Sequence, residues 1–164
     1  MIKITELFAE ERILLSRDIA SKKRVLELLS ECVAVNLPDL TATEVFDCLV
    51  NRERLGSTGL GHGVAIPHGR LKSVSRPIGA LLKLQEGVDY DAVDGQPVDL
   101  FCALLVPAQS TDEHLQILAM LAEMFSDHNL CTQLRAANSG KEIHTLLMNW
   151  QPISIRQAVT RAQS

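Results

Sequence analysis

One segment restricts the fold more than any other. Every residue from 100 to 106 is apolar (Leu-Phe-Cys-Ala-Leu-Leu-Val), and Pro107 closes the run. A strand with one wet face alternates polar and apolar side chains, whereas a strand without alternation is covered on both faces. The chain therefore calls for a central sheet with a helical layer on each side. Val98 begins this strand. Residues 77–84, with Ile78, Ala80, Leu81, Leu82 and Leu84, predict a second buried strand. Ile13-Leu14-Leu15 predicts a third, and Val64-Ala65-Ile66 a fourth that ends at Pro67. Val88-Asp89-Tyr90-Asp91 reads as a short edge piece before a turn at Asp94-Gly95.

Helical patterns alternate with these strands. Ser21 predicts an N-cap ahead of Val25, Leu28, Leu29, Cys32 and Val33, which recur at helical spacing until Asn36, and Pro38 stops that helix. Thr41-Ala42-Thr43-Glu44 is a capping box that opens a helix to Arg54. Ser110-Thr111-Asp112-Glu113 reads as another, with Leu115, Leu118, Leu121, Ala122 and Phe125 on one face of its helix. A short helix over 130–137 and a last one from Ser139, with Glu142 three residues on, complete the set. The predicted fold is α/β: a three-layer α/β/α sandwich with a mixed central sheet. It forms one domain over 1–150, with a polar tail over 151–164.

Composition removes several functions. The 164-residue chain has net charge -4, the wrong sign for non-specific nucleic-acid binding. Only 4% of residues are aromatic, too few for a sugar-stacking cleft or a single-strand platform. Cys32, Cys48, Cys102 and Cys131 are far apart, lack a C-x-x-C pair and sit in apolar or amphipathic runs. They read as buried free thiols of a reducing compartment rather than metal or disulfide partners. No signal peptide or membrane-length apolar run is present, so the expected location is cytoplasmic, without membrane insertion.

Residues 56–69 hold Gly56, Gly59, Gly61, Gly63 and Gly69, a density that no regular helix tolerates. The segment is a shaped loop whose amides can form an anion-binding concavity. His68 follows Pro67 directly, at the strand end where ligands of open α/β sheets bind. Fixed φ at Pro67 and freedom at Gly69 put the imidazole on a stiff, uncrowded pedestal. Ser57 and Thr58 supply hydroxyls, and Arg52 and Arg54 supply positive charge. This ensemble suits transfer of a phosphoryl group to the imidazole. Taken alone, Pro67-His68-Gly69 favours a loop histidine that donates to a nearby carbonyl over a phosphoacceptor. His114, in the first turn of its helix, is either a neutral partner for a phosphate on His68 or a solvent-facing side chain. His62 reads as a rim residue, and His128 and His144 as surface residues. The loop is neither a Walker A motif nor a dinucleotide fingerprint. A metal-dependent hydrolase built on His62, His68 and His114 lacks zinc-like ligand spacing.

These residues carry a resemblance. Glu53, Leu60-Gly61 and Val64-Ala65-Ile66-Pro67-His68-Gly69 match, in register, the signature of the IIA components of mannitol/fructose-type phosphotransferase systems (PTS). Glu11-Arg12-Ile13-Leu14-Leu15, residues 21–27, and Ala103-Leu104-Leu105-Val106-Pro107-Ala108 running on to His114-Leu115 resemble the nitrogen-regulatory branch, IIA-Ntr, in particular. The resemblance covers nearly the whole chain.

It implies a phosphohistidine carrier with no independent small-molecule turnover. His68 would accept the phosphoryl group from an HPr-like phosphocarrier (NPr), itself supplied by enzyme I and phosphoenolpyruvate. His114 and Arg52 would be its catalytic partners, and Ser57, Thr58 and Gly69 its phosphate-binding positions. No metal or cofactor is implied. Regulatory targets in the branch include potassium-uptake systems and sensor kinases. The alternative is a IIA phosphoryl donor to a IIB component in fructose or mannitol uptake. The absence of a fused IIB or HPr module within 164 residues favours the regulator. The docking surface is expected to be an apolar ring of Leu60, Val64 and Leu71 around His68.

Overall fold

The computed structural model describes residues 3–152, so the polar tail predicted over 151–164 lies almost wholly outside the described residues. The elements in chain order are α1 (Ile4–Leu7), a 3-10 turn (Glu10–Arg12), β1 (Ile13–Ser16), α2 (Lys22–Ala34), α3 (Ala42–Glu53), β2 (Gly59–Gly61), β3 (Val64–Ala65), β4 (His68–Leu71), β5 (Ile78–Val88), β6 (Val98–Pro107), α4 (Asp112–Phe125), α5 (His128–Ala136) and α6 (Gly140–Asn149). The local end signals act as written in the sequence. Ser21 and Ser139 accept from the amides three residues on, and Thr41 and Glu44 close a reciprocal capping box.

The sheet is mixed, with order β1-β5-β6-β3-β2 and β4 beside β6. β1 runs parallel to β5, β5 antiparallel to β6, and β3 and β4 parallel to β6. β6 is the spine, and its unbroken apolar run is explained by two cores. Leu100, Cys102, Leu104 and Val106 pack with Ile117, Leu121, Phe125, Leu134 and Leu147 from α4, α5 and α6. Phe101, Ala103 and Leu105 pack with Val25, Leu29, Val45 and Leu49 from α2 and α3. The three layers follow. No helix among the described residues is long and apolar enough to cross a membrane.

Four local expectations are adjusted. β3 stops at Ala65, just ahead of Pro67, but the chain resumes pairing at His68. β3 pairs Val64 with Leu100 and β4 pairs His68 with Leu104, so the register is kept across the break. Proline removes one donor, but its carbonyl still accepts from Leu104 N at 3.0 Å. Val88 belongs to β5, and Tyr90 is fully buried rather than on an edge. Ser110 does not open α4: Thr111 is the N-cap, in an αR conformation that aims no side chain at the first-turn amides. The buried stripe of α4 is Ile117, Leu121, Met124 and Phe125, which leaves Leu115 67% exposed.

Of the cysteines, Cys32, Cys102 and Cys131 are buried free thiols, while Cys48 is half-buried on α3. It explains Gly69. A Cβ at Gly69 would collide with Cys48 Sγ, so glycine lets α3 lie directly on β4. Overpacking a tight contact costs about 1–3 kcal/mol. Gly69→Ala is expected to lower the urea midpoint accordingly, and Cys48→Ala in the same chain to recover part of the loss. A Gly69→Ala variant as stable as the parent would contradict this packing.

Candidate functional site

β4 pairs with β6 alone among the described residues, so its other edge is open. Two helices from opposite faces of the sheet reach that edge. The last turn of α3 brings Arg52, and the first turn of α4 brings His114. They meet at an open cavity of about 770 Å³ whose lining includes Arg52, Leu55, His68, Arg70, His114 and Leu115.

The His68 ring is fixed by its neighbours. Nδ1 lies 2.7 Å from the Ile66 carbonyl oxygen, which can only accept, so Nδ1 carries the proton. Nε2 is then the unprotonated nitrogen. Arg52 Nε donates to it at 3.3 Å, a contact possible only with that tautomer. Burial pushes the His68 pKa below its ordinary value, and the Arg52 cation adds to the fall; the Ile66 contact and Glu53 oppose it. The hydrogen bond at Nδ1 thus leaves Nε2 unprotonated, with its lone pair turned to the cavity and accepting from Arg52.

His114 faces this ring edge-on, with centroids 5.5 Å apart. Its Nε2 is buried without a hydrogen-bond partner among the described residues. Burial lowers its pKa, followed by His68, Arg70 and Arg52. A neutral imidazole with an unspent nitrogen stands beside two guanidinium groups. The first turn of α4 has no side-chain cap, so its amides add partial positive charge at the same place. An anion at Nε2 of His68 would be met by Arg52, His114 and this helix end.

The glycine-rich loop has another job. Its amides are spent internally: Thr58 N on Glu53, Gly59 N on Ser57 Oγ at 3.1 Å, and His62 N on Asp94 at 3.1 Å. These three amides are therefore not offered to an anion. The structure brings Arg52, His68, Gly69 and His114 together at the cavity and does not bring Ser57 or Thr58 there. Ser57 Oγ donates to the Tyr90 carbonyl at 3.4 Å, and Thr58 is 6% exposed with its hydroxyl against Glu53 and Tyr90. Arg54 reaches only Asn51 Oδ1, at 3.3 Å. His62 and His128 pair with each other on the surface. Among the described residues no group of three or more His, Cys, Asp or Glu side chains could hold a metal ion.

The mouth of the cavity is apolar in part, but not where sequence places it. Val64 is buried in the core, and Leu60 is exposed outside the lining. Leu71 does line it, joined by Leu55 and Leu115, 84% and 67% exposed. Sequence reasoning missed Arg70 and Leu115. Leu115 was hidden by a helical pattern read one step out of phase. Arg70 carries a signal only in retrospect, two residues beyond His68 on the same strand.

Comparison with known proteins agrees with this geometry. The family described as "Phosphoenolpyruvate-dependent sugar phosphotransferase system, EIIA 2" matches residues 6–150. A nitrogen regulatory protein of Pseudomonas aeruginosa is 42% identical over 151 residues, 92% of this chain and 98% of that protein. The crystal structure of nitrogen regulatory protein IIA-Ntr from Neisseria meningitidis superposes with a TM-score of 0.82 at 42% identity, over 88% of this chain and 98% of that one. A PTS fructose-specific EIIA component of Haloferax volcanii is 34% identical, over 84% of this chain and 89% of that protein.

Proposed function

The chain belongs to the EIIA 2 family of the phosphoenolpyruvate-dependent sugar phosphotransferase system, and from that premise we propose that it is a phosphohistidine carrier of the nitrogen-regulatory kind. His68 takes the phosphoryl group on Nε2 from an HPr-like carrier, and the resulting phosphorylation state regulates partner proteins in the cytoplasm. The observation that carries this reading is the Ile66 contact, which leaves a neutral, unprotonated Nε2 beside Arg52 at the cavity.

The transfer runs in line between two imidazoles. The Nε2 lone pair of His68 forms the new phosphorus–nitrogen bond. The bond to the donor imidazole breaks, and its electron pair returns to the donor ring. No proton needs to leave His68 before attack, because the reacting nitrogen carries none. The protein's contribution is position and charge compensation. Arg52 and the α4 amides face the equatorial oxygens, and a protonated Nε2 on His114 donates one more hydrogen bond. Burial of the ring favours its neutral form. Leu55, Leu71 and Leu115 form the dry rim against which the donor protein docks.

The nitrogen-regulatory branch is favoured by the Pseudomonas and Neisseria relatives, each 42% identical, over the 34% of the fructose-specific component. Potassium-uptake systems and sensor kinases are the target classes the branch suggests. The alternative output, donation to a IIB component in fructose or mannitol uptake, rests on the Haloferax relative. The test is direct. Protein incubated with phosphoenolpyruvate, enzyme I and an HPr-like carrier should gain one phosphoryl group by intact mass, mapped to His68. Addition of IIB components should not discharge it. Failure to gain the group rejects the carrier role, and rapid discharge to a IIB component replaces the regulator with the sugar donor.

A further inference from the structure

The hydroxyl of Thr58, which sequence assigns to the phosphate, is instead part of a buried clamp. Glu53, its side chain 5% exposed, collects four donors. They are Lys22 Nζ at 3.0 Å, Tyr90 Oη at 2.9 Å, Thr58 N at 3.3 Å and Thr58 Oγ1. The backbone of residues 53–58 is thereby tied to itself. Gly56 N donates to the Glu53 carbonyl at 3.1 Å, and the Glu53 side chain holds the far end of the turn through Thr58. Thr58 O in turn accepts from Ile66 N at 3.1 Å, next to the carbonyl that fixes His68.

Between these ties lies Gly56, with φ +148 and open space where a Cβ would stand. With no neighbour on that side, its position leans on the ties before and after it. Its carbonyl accepts from Arg52 Nη1 at 2.9 Å. That bond uses one edge of the guanidinium and turns Nε toward His68. An arginine has several rotatable bonds, and its fork acts best when one edge is held.

We propose that Thr58 and Glu53 are positioning residues, whose buried contact sets the Gly56 carbonyl and, through it, the aim of Arg52 at His68. The inference rests on the reading of His68 as the phosphoryl acceptor. It separates Thr58 from phosphate binding: the hydroxyl acts through the loop and Arg52, and touches no reacting atom.

The test uses Thr58→Val, which keeps the shape and removes the donor, Thr58→Ser, which restores it, and Leu147→Ala, a core truncation remote from the clamp. Two quantities are read in each: the His68 titration by NMR in the unphosphorylated protein, and the transfer rate from the phosphorylated HPr-like carrier. The charged groups acting on His68 are Arg52 and Glu53 from α3; His114 from α4 packs against its ring, and Arg70 from β4 lines the same cavity and acts on His114. The Arg52 cation lowers the His68 pKa, so an Arg52 that swings away lets it rise. Thr58→Val is expected to raise the titration midpoint and to slow transfer about tenfold, since small misplacements near the reacting atoms are costly. The dependence on carrier concentration should not change. Thr58→Ser should match the parent on both counts, and Leu147→Ala should lose stability alone. If Thr58→Val fails to fold, Thr58→Ala carries the same expectation. An unmoved His68 titration in the Thr58 variant overturns the proposal. So does equal slowing in Leu147→Ala, or no rescue by serine. A parent protein that takes no phosphoryl group rejects the reading of His68 instead, and the titration comparison still decides the clamp.

Discussion

His68→Ala should gain no phosphoryl group by intact mass under conditions in which the parent gains one. The reason is not scarcity of histidines. His62 and His128 are exposed and meet edge to face, away from the cavity. His114 is the serious competitor, because it lies 5.5 Å from His68, ring to ring, and is also held neutral. What His114 lacks is a carbonyl to fix its tautomer and a guanidinium donating to the nitrogen that would react. Among the described residues only His68 has both. His68→Asn, which keeps a polar group near the Ile66 carbonyl, should fold normally and be equally inert. Phosphorylation of either variant at His114 would move the acceptor by one helix and invert the assigned roles.

Arg52→Met should slow transfer about 10²–10³-fold, the usual loss when one preorganised donor is removed from developing charge. Methionine keeps much of the chain length, so the loss reports the guanidinium. A second effect follows with a definite sign. Attack needs neutral His68, and the Arg52 cation helps to keep the pKa of that ring low. Without it the pKa rises, protonated His68 persists to higher pH, and the acid limb of the pH–rate profile moves toward neutrality. Raising the pH should therefore recover part of the activity in the variant, and little in the parent. A profile displaced toward acid, or a variant as fast as the parent, would remove Arg52 from the chemistry.

The parts of this structure written in short-range code were legible. Ser21, Thr41 and Ser139 cap helices because their partners are three residues away. The unbroken apolar run of β6 implied two covered faces, and two cores are found there. Thr111 shows the limit: its residue type suits a cap, but its αR backbone leaves the helix end uncapped, and the uncapped end faces the cavity. His68 stood out because its motif is contiguous, and it lines the cavity. The meeting of Arg52 and His114 was expected from the resemblance and not from periodicity or spacing, because it depends on two helices from opposite faces converging on one open strand edge. Thr58 was misread for the same reason. A hydroxyl in a glycine-rich loop looks available until Tyr90, from a distant turn, and Glu53 are seen to enclose it.

The Ile66 carbonyl has a further consequence once the phosphorus–nitrogen bond exists. A ring that attacks through Nε2 while keeping its Nδ1 proton emerges as a phosphorylated imidazolium, and the carbonyl at 2.7 Å favours retention of that proton. An imidazolium releases phosphorus readily, because the departing ring is a neutral imidazole rather than an anion. The contact that orients the nucleophile on the forward path therefore makes the same ring a good leaving group on the return. Exchange with the donor imidazole is then close to symmetric in chemistry. The loaded fraction of this protein would follow the loaded fraction of its donor in both directions, as a gauge does, rather than accumulate as a one-way store.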